Sequence, residues 1–504
     1  MDLFKTKNNQ SNGLLLSIIF IILFGFFLRL NAAVKQSFWQ DEVYILNISS
    51  KYSPSQLIAF EHEDKAHPQL YYIISHFLAK YHLSPLVLRM PSLAAFIPAA
   101  LFIYLIGTIV FNRQVALIAT TMFAVNPFLV NQGFLAKMYG LTYGFTLAGL
   151  YFAVKGITQG KYRWSLLSGF FTAIALYLDY SPFWYLLSLA AAGVMAGIVC
   201  RRWRHAIVIH LSLIFLTAGV LFAIEMPFFV KNFSTAVQGE SYLGTYRNQY
   251  IQGTLADFSG LGGTTVKSEY FSWIPFIISI ILFWQNLKAL ALVSDSPLTI
   301  RRFFVLFLIS SYFVPVIIAY LFSWYSPIFN TRNLWISSLP FLFGPAILFD
   351  SPRSGQTKKI LIFGYIILLT IASIGRWGFY GKTDWGKFSD QLLDYPDKKV
   401  VVFLDFEGPF WGRMRPFFEY YLNLPKYVAL KPDLEIHEID LTAPIDDREI
   451  SYLAKEPQLW LLSNHDNAYE SGQRKLNRTI LTEFQTILGC PGKPCGEVFP
   501  IYRD

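Results

Sequence analysis

Long apolar runs separated by short polar connections fill the first three-quarters of the chain. The run from Leu14 to Leu30, preceded by Lys5 and Lys7, has the ~20 residues that a helix needs to cross the hydrocarbon core of a bilayer. Similar runs lie near 86–111, 115–131, 138–156, 163–180, 182–200, 206–228, 273–293, 303–323, 334–350 and 359–379. With the first they predict eleven membrane spans. Asn31-Ala32-Ala33 is a poor small-x-small site, and the apolar core before it is long for a cleaved signal peptide, so the first run is expected to stay as an anchor.

Charge along the connections predicts their sides. Every second connection carries cations: Arg113; Lys155, Lys161 and Arg163; Arg201, Arg202 and Arg204; Arg301 and Arg302; Arg353, Lys358 and Lys359. The opposite short connections hold little beyond Lys137 and Arg332. Cytoplasmic loops are the basic ones. The N-terminus is therefore expected in the cytoplasm, and the loops at 31–85 and 229–272 on the outer face with everything after 380. The segment 68–82 is apolar but short and carries His76 and Lys80. Counting it as a span would turn the arginine loops outward, so it is expected to lie as a helix at the outer surface, together with amphipathic material between Val43 and Phe60.

After residue 380 the pattern changes. Val400 to Leu404 and Gln458 to Leu462 read as buried strands, Arg415 to Leu422 and Arg478 to Leu488 as helices. The expected organisation is a polytopic helical membrane domain over 1–380 and a small extracytoplasmic α/β domain over 381–504. Composition agrees: 54% of the 504 residues are hydrophobic and only 15% charged, against about 25% charged in soluble domains. Residues 1–380 hold 27 Lys and Arg against 13 Asp and Glu, residues 381–504 hold 15 against 20. The basic excess thus belongs to membrane loops, and no soluble basic face for nucleic acid is visible. Cys490 and Cys495 flank a Pro-Gly-Lys-Pro turn that could close a small disulfide, which an oxidising compartment would allow. Without a second cysteine pair they do not make a zinc site, and Cys200 reads as a buried thiol.

The candidate chemistry sits beside the first span. Asp41 and Glu42 follow it, next to Trp39. Carboxylates at a membrane are costly unless solvated or functional, and one of them can take the proton from an attacking hydroxyl. His67 precedes Pro68 and is expected to cap the helix 68–82, where a helix N-terminus attracts phosphate. Tyr71 and Tyr72 place amphipathic rings at the interface, for anchoring or substrate contact. Arg89, Lys137, Asp179, Glu225 and Arg332 all fall at span ends on the same side. Singly each reads as a boundary residue; together they form a charged rim whose cations, Lys137 and Arg332 foremost, can neutralise a leaving phosphate. There is no G-x-x-x-x-G-K-[ST] and no G-x-G-x-x-G, which disfavours a soluble nucleotide-sugar domain.

The ordered set Phe38-Trp39-Gln40-Asp41-Glu42, His67-Pro68-Gln69-Leu70-Tyr71-Tyr72 and Leu88-Arg89-Met90-Pro91-Ser92 resembles the membrane glycosyltransferases of the GT-C fold. The closest likeness is to glycosyltransferase family 39, which includes protein O-mannosyltransferases and the lipid A aminoarabinose transferase. Asn126-Pro127 through Lys137-Met138-Tyr139, then Thr331-Arg332-Asn333 with Leu339-Pro340, resemble later motifs, so the likeness runs over about 14–350. It implies an inverting transferase in the inner membrane that moves a sugar from a polyprenyl-phosphate carrier to a glycan, lipid or protein at the outer face. Asp41 would be the base with Glu42 beside it, and His67, Arg89, Lys137, Tyr139 and Arg332 would face the lipid phosphate. Trp39, Tyr71, Asp179 and Glu225 would support them. Gln69 replaces the second proline of that family, and Lys137 its arginine. Leu135 stands where an acid is common, so the likeness carries no metal site; no cofactor is assigned and a divalent metal is left open. Two other readings are a transporter and a non-catalytic subunit of polysaccharide assembly or export. Transporters place ionisable residues near the bilayer midplane, often in two repeated halves. Here they gather at one rim and no repeat is visible.

Overall fold

The computed structural model describes residues 2–36, 38, 40–59, 67–81, 84–199, 204–230, 257–260, 299–323, 329, 331–350, 355–375, 399–405, 434–440, 459–463 and 499–500. The chain divides into two compact units. The first comprises 1–33, 48–78 and 86–379, the second 34–47, 79–85 and 380–504.

The first unit is helical. Helix α1 (Asp2–Lys35) shows why it belongs in a bilayer. Leu15, Leu16, Phe20, Leu23 and Phe27 are exposed, while Leu28, Arg29, Ala32 and Ala33 are buried. The buried set repeats at helical spacing, and exposed leucines and phenylalanines on the other face suit lipid rather than water. Five described helices are long and apolar enough to cross a membrane: Gly13–Lys35 in α1, α5 (Pro85–Val110), α10 (Pro182–Val199), α11 (Arg204–Phe222) and Ile300–Phe322 in α12 (Thr299–Phe322). The pair α6 (Arg113–Val125) and α7 (Pro127–Gly133) makes a sixth if counted as one span. The protein is a multi-pass membrane protein. The span expected at 273–293 lies outside the described residues. Helices α8 (Tyr139–Gln159) and α9 (Tyr162–Leu178), then the 3-10 turn Trp335–Ser338, α13 (Leu339–Asp350) and α14 (Gln356–Gly375), complete the unit.

Small residues let these helices approach. A Cβ on Gly140 would stand 2.7 Å from the Ser92 carbonyl oxygen, so α8 crosses α5 backbone against backbone. Such contacts replace the hydrophobic drive that lipid does not supply between helices. Gly160, at φ 64°, turns α8 into α9, a backbone conformation that costs glycine little. The hairpin is fastened by Ser168 Oγ, which donates to the Gly149 carbonyl at 2.8 Å.

The segment expected as a span at 115–131 is bent by 60° at Asn126. Pro127 explains the bend. It has no N–H for the Phe123 carbonyl, and its ring disfavours helix at Asn126. Asn126 ends α6 and caps α7, its Oδ1 accepting from the N–H groups of Phe128 and Leu129 at 2.9 and 3.2 Å. That capping takes away the donors of the Ala124 and Val125 carbonyls as well. Three carbonyls are thus released in a setting without water. Arg29 of α1 donates to Ala124 at 2.9 Å and to Phe123 at 3.3 Å, and Ser373 of α14 to Val125 at 2.6 Å.

The helices α2 (Gln40–Lys51), α3 (Pro54–Ile58) and α4 (Leu70–Tyr81) that follow α1 are short. At 12 residues, α4 cannot span a bilayer. It begins at Leu70 and not at Pro68: the first turn closes from the Ile73 N–H to the Gln69 carbonyl at 3.1 Å. Gln69 is therefore its cap, and His67 stands two residues ahead.

The second unit holds a parallel sheet of β1 (Lys399–Asp405), β2 (Leu434–Asp440), β3 (Leu459–Ser463) and β4 (Phe499–Pro500) in the order β2-β1-β3-β4. Val401 pairs with Ile436 on one side and Trp460 on the other. β1 and β3 fall on the two strands expected from sequence. β2 has no strand signal in the sequence, because Glu435, His437 and Glu438 interrupt its apolar pattern. The helices expected at 415–422 and 478–488, and Cys200, Cys490 and Cys495, lie outside the described residues.

Candidate active site

Chain direction gathers several of the rim residues. Because α8 and α9 run antiparallel through the tight turn at Gly160, the end of α9 returns to the start of α8. Helix α11 packs on α9 and ends at that level as well. Asp179, Tyr180, Glu225 and Lys137 therefore share one end of the first unit.

Lys137 lies in the link between α7 and α8. That link is buried throughout, with Lys137 only 4% exposed. Ser92 Oγ donates to the Lys137 carbonyl at 2.7 Å, and the close approach of Gly140 to Ser92 holds the crossing at that point. The ammonium of Lys137 sits 5.2 Å from the Tyr139 ring centroid, within range of a cation–π contact. One turn on, Tyr143 meets Trp335 with ring centroids 4.3 Å apart. Tyr143 lies within the electrostatic reach of Tyr139, Asp179, Arg332 and Arg29. Arg332 is half-buried in the turn before the 3-10 segment. That segment is pinned to α12 by Ser337 Oγ, donating to the Ser311 carbonyl at 2.8 Å.

This cluster is buried and polar but incompletely bonded. Asp179 Oδ1 accepts from the Ser181 N–H at 3.1 Å. Its Oδ2, Ser181 Oγ, Tyr143 Oη and Trp335 Nε1 have no hydrogen-bond partner among the described residues. Each such buried group costs about 1–3 kcal/mol relative to a satisfied one. These four groups lie on three chain segments, and Tyr143 connects two of the others, through its ring contact with Trp335 and its electrostatic reach to Asp179.

Glu225 belongs to a neighbouring cluster just past α11. It is 4% exposed and accepts from Tyr180 Oη at 3.4 Å. Tyr180, Phe183, Phe222 and Phe229 pack ring against ring beside it, with Tyr180–Phe229 and Phe183–Phe229 centroids both at 4.9 Å. Burial pushes its carboxyl up to about 7, with the Tyr180 hydroxyl pulling the other way.

The other expected residues are placed as follows. Asp41 and Glu42 form the acidic first turn of α2, which suits the positive end of a helix dipole. Glu42 is buried and Asp41 half-buried. This first half of α2 belongs to the second unit. Arg89 is fully buried in α5, donates to the Ala33 carbonyl at 2.6 Å, and lies 5.4 Å from the Phe134 ring. It thereby fastens the end of α1 to α5. Tyr71 and Tyr72 are 1% and 0% exposed, so they are core residues rather than interface rings. His67 is half-buried, and Trp39 lies outside the described residues. Among the described residues no group of three His, Cys, Asp or Glu side chains could hold a metal ion.

Sequence reasoning missed Arg29, Tyr143 and Trp335. Arg29 carried a signal, a lone cation inside an apolar run. The two aromatics carried none, since aromatic residues in a span are ordinarily packing.

Comparison with known proteins identifies the architecture. Residues 64–228 match the dolichyl-phosphate-mannose-protein mannosyltransferase family. The structure superposes on ArnT from Cupriavidus metallidurans, bound to undecaprenyl phosphate, with a TM-score of 0.51 at 11% identity, covering 88% of this chain and 91% of that one. The fold is GT-C. A second GT-C neighbour is the archaeal oligosaccharyltransferase AglB from Archaeoglobus fulgidus, in complex with an inhibitory peptide and a dolichol-phosphate. Its TM-score is 0.51 at 10% identity, over 82% of this chain. The chain spans about 64% of the length of that oligosaccharyltransferase. No curated protein matches by sequence. The family match includes Lys137, Tyr143, Asp179 and Glu225 and ends before Arg332 and Trp335.

Proposed function

We propose that this GT-C chain is an inverting glycosyltransferase. It moves a sugar from a polyprenyl-phosphate carrier to a hydroxyl acceptor at the outer face of the cytoplasmic membrane. One observation carries the reading: Lys137, Tyr139, Tyr143, Asp179, Arg332 and Trp335 converge at one end of the helical unit, with cations beside buried, unpaired hydrogen-bonding groups. Two GT-C neighbours of matching fold hold a polyprenyl phosphate, which supports a phosphate-bearing lipid as ligand.

In this reading the carrier phosphate lies against Lys137 and Arg332, and the sugar hydroxyls against Asp179, Tyr143 and Trp335. Asp41 takes the acceptor proton as the acceptor oxygen bonds to the anomeric carbon. The bond from that carbon to the phosphate oxygen breaks, and the polyprenyl phosphate departs carrying the electron pair. Its charge is held by the two cations, so no acid is needed for the leaving group. Inversion follows from the single displacement. Glu42, His67 and Tyr139 support the base and the phosphate contact. Arg89 acts as an anchor of the α1–α5 junction. No step runs through a metal. The domain after 380 would lie outside the cell membrane and meet the acceptor.

The test is transfer from a synthetic polyprenyl-phosphate sugar by the purified full chain in lipid nanodiscs, with envelope extract as acceptor. Lys137→Met and Arg332→Met are expected to weaken donor binding. Asp41→Asn is expected to bind donor normally and to lose transfer by roughly 10²–10⁴-fold, the range of a general base. A folded Asp41→Asn protein with normal transfer would remove Asp41 from the chemistry. Transport of a free solute by vesicles lacking lipid-linked sugar would replace the reading with a transporter.

A further inference from the structure

We propose that Arg29 is a positioning residue for the phosphate end of this site, acting through the break between α6 and α7; the consequence for donor binding rests on the transferase reading. A cation wholly buried in a membrane helix is costly unless it has specific partners. The partners of Arg29 are specific. Its Nη1 donates to the Gly25 and Ala124 carbonyls, both at 2.9 Å, and its Nη2 to the Phe123 carbonyl at 3.3 Å. The guanidinium carbon lies over Phe96, 3.8 Å from the ring centroid, and Phe96 stacks on Phe123 at 5.7 Å. Arg29 thus grips two of the three carbonyls that Pro127 and the Asn126 cap release.

The grip extends along α7. A Cβ on Gly133 would stand 3.0 Å from Arg29 Nε, so the last turn of α7 rests on the same guanidinium. Four residues later comes Lys137, whose carbonyl is held by Ser92 at 2.7 Å. The stretch that carries the proposed phosphate ligand is therefore fixed at one end by Arg29 and at the other by Ser92. A planar fork is needed to reach two carbonyls and stack on a ring at once, and lysine cannot reproduce that geometry. Displacing a binding group by about 1 Å can cost up to about 100-fold in rate or affinity.

The experiment compares wild type, Arg29→Lys and Arg29→Met as full chains in nanodiscs. Binding of polyprenyl phosphate itself is measured by native mass spectrometry, the donor KM and kcat in the transfer assay, and amide exchange over residues 127–138 by mass spectrometry. Arg29→Met is expected to raise the donor KM roughly tenfold while kcat changes by less than about threefold, the split of a binding effect. Arg29→Lys, which keeps the charge but can reach one carbonyl, is expected to fold, to bind at an intermediate level, and to exchange faster across 127–133. If Arg29→Met does not fold, the lysine variant alone decides. Lysine with wild-type KM and wild-type exchange overturns the proposal. Wild-type protein that binds no polyprenyl phosphate overturns the transferase reading and the donor effect with it, whereas normal wild-type binding with unaltered variants overturns the role of Arg29 alone.

Discussion

Tyr143 and Trp335 meet with ring centroids 4.3 Å apart, and neither polar atom, the phenolic oxygen nor the indole nitrogen, has a hydrogen-bond partner among the described residues. The two come from segments nearly two hundred positions apart, and each is at most 2% exposed. Two rings meeting for packing alone, here tilted by 37°, would do as well as phenylalanines. In the proposed transferase reading, their polar atoms are left for hydroxyl groups of the sugar.

Tyr143→Phe and Trp335→Phe separate stability from function on this basis. Tyr143→Phe removes an unsatisfied buried hydroxyl and is expected to leave thermal stability unchanged or raise it by up to about 1 kcal/mol. Trp335→Phe also loses ring volume and is expected to cost about 1–3 kcal/mol. Both should slow sugar transfer roughly 10- to 100-fold, the effect of losing one hydrogen bond to substrate. Thermal melts beside transfer rates check this, and a Tyr143→Phe protein with full activity would leave its hydroxyl without a role.

Gly140 offers a test of how Lys137 is held. Its missing side chain brings α8 to within 2.7 Å of the Ser92 carbonyl oxygen, measured from where a Cβ would stand. Gly140→Ala must push the helices apart and is expected to destabilise by about 1–3 kcal/mol. Ser92→Ala removes only the bond to the Lys137 carbonyl and should cost about 1 kcal/mol. Donor affinity should fall in both. A Gly140→Ala protein that melts and binds as wild type would show that the crossing tolerates the added methyl.

Much of this could be read from residues in order. The lipid-facing stripe of α1, the short α4 and the strands β1 and β3 follow from hydropathy and its period. So does a polar level containing Lys137, Asp179 and Arg332, because the helices alternate in direction and the polar residues fall at their ends. What could not be read is whatever depends on contacts between distant segments. Nothing in Leu14–Leu30 says that Arg29 answers carbonyls released ninety residues later by Pro127. Tyr143 and Trp335 look like any aromatic residues in a span until the turn at 331–334 brings them together. The expected cap at His67 failed for a local reason: α4 starts two residues after Pro68, and the Gln69 carbonyl closes its first turn.

Asn126 ties the α6–α7 break to the segment 257–260. Its Oδ1 caps α7, and its Nδ2 donates to the Phe258 carbonyl at 3.2 Å. Phe258 packs edge-on against Phe128 at 5.6 Å. Asn126→Asp keeps the cap acceptor and loses the donor; Asn126→Ala loses both. The alanine variant is expected to destabilise by about 1–2 kcal/mol, the usual worth of an N-cap, and to speed amide exchange at Phe128 and Leu129. The aspartate variant should keep those two amides protected while loosening 257–260. Equal exchange in both variants would show that the cap and the tether are not separable functions of this side chain.

Glu225 makes stability depend on pH near neutrality. Its carboxyl is raised from an ordinary value of 4.5 to about 7 by burial beside the aromatic cluster, so the folded protein favours the protonated form. The sign follows from linkage. Stability from this group is fully present below pH 4.5, where both folded and unfolded chains are protonated, and declines as pH rises toward 7. Above about 7 the folded state carries the buried charge and the loss is complete. Glu225→Gln keeps the shape and the contact with the Tyr180 hydroxyl but cannot ionise. It is therefore expected to match wild type near pH 4.5 and to melt higher than wild type at pH 8, with the gap opening between those values. Melting curves of the two proteins in one detergent from pH 4.5 to 8.5 measure this. A gap that is constant across the range would show that Glu225 is solvated in both forms and does not titrate with folding.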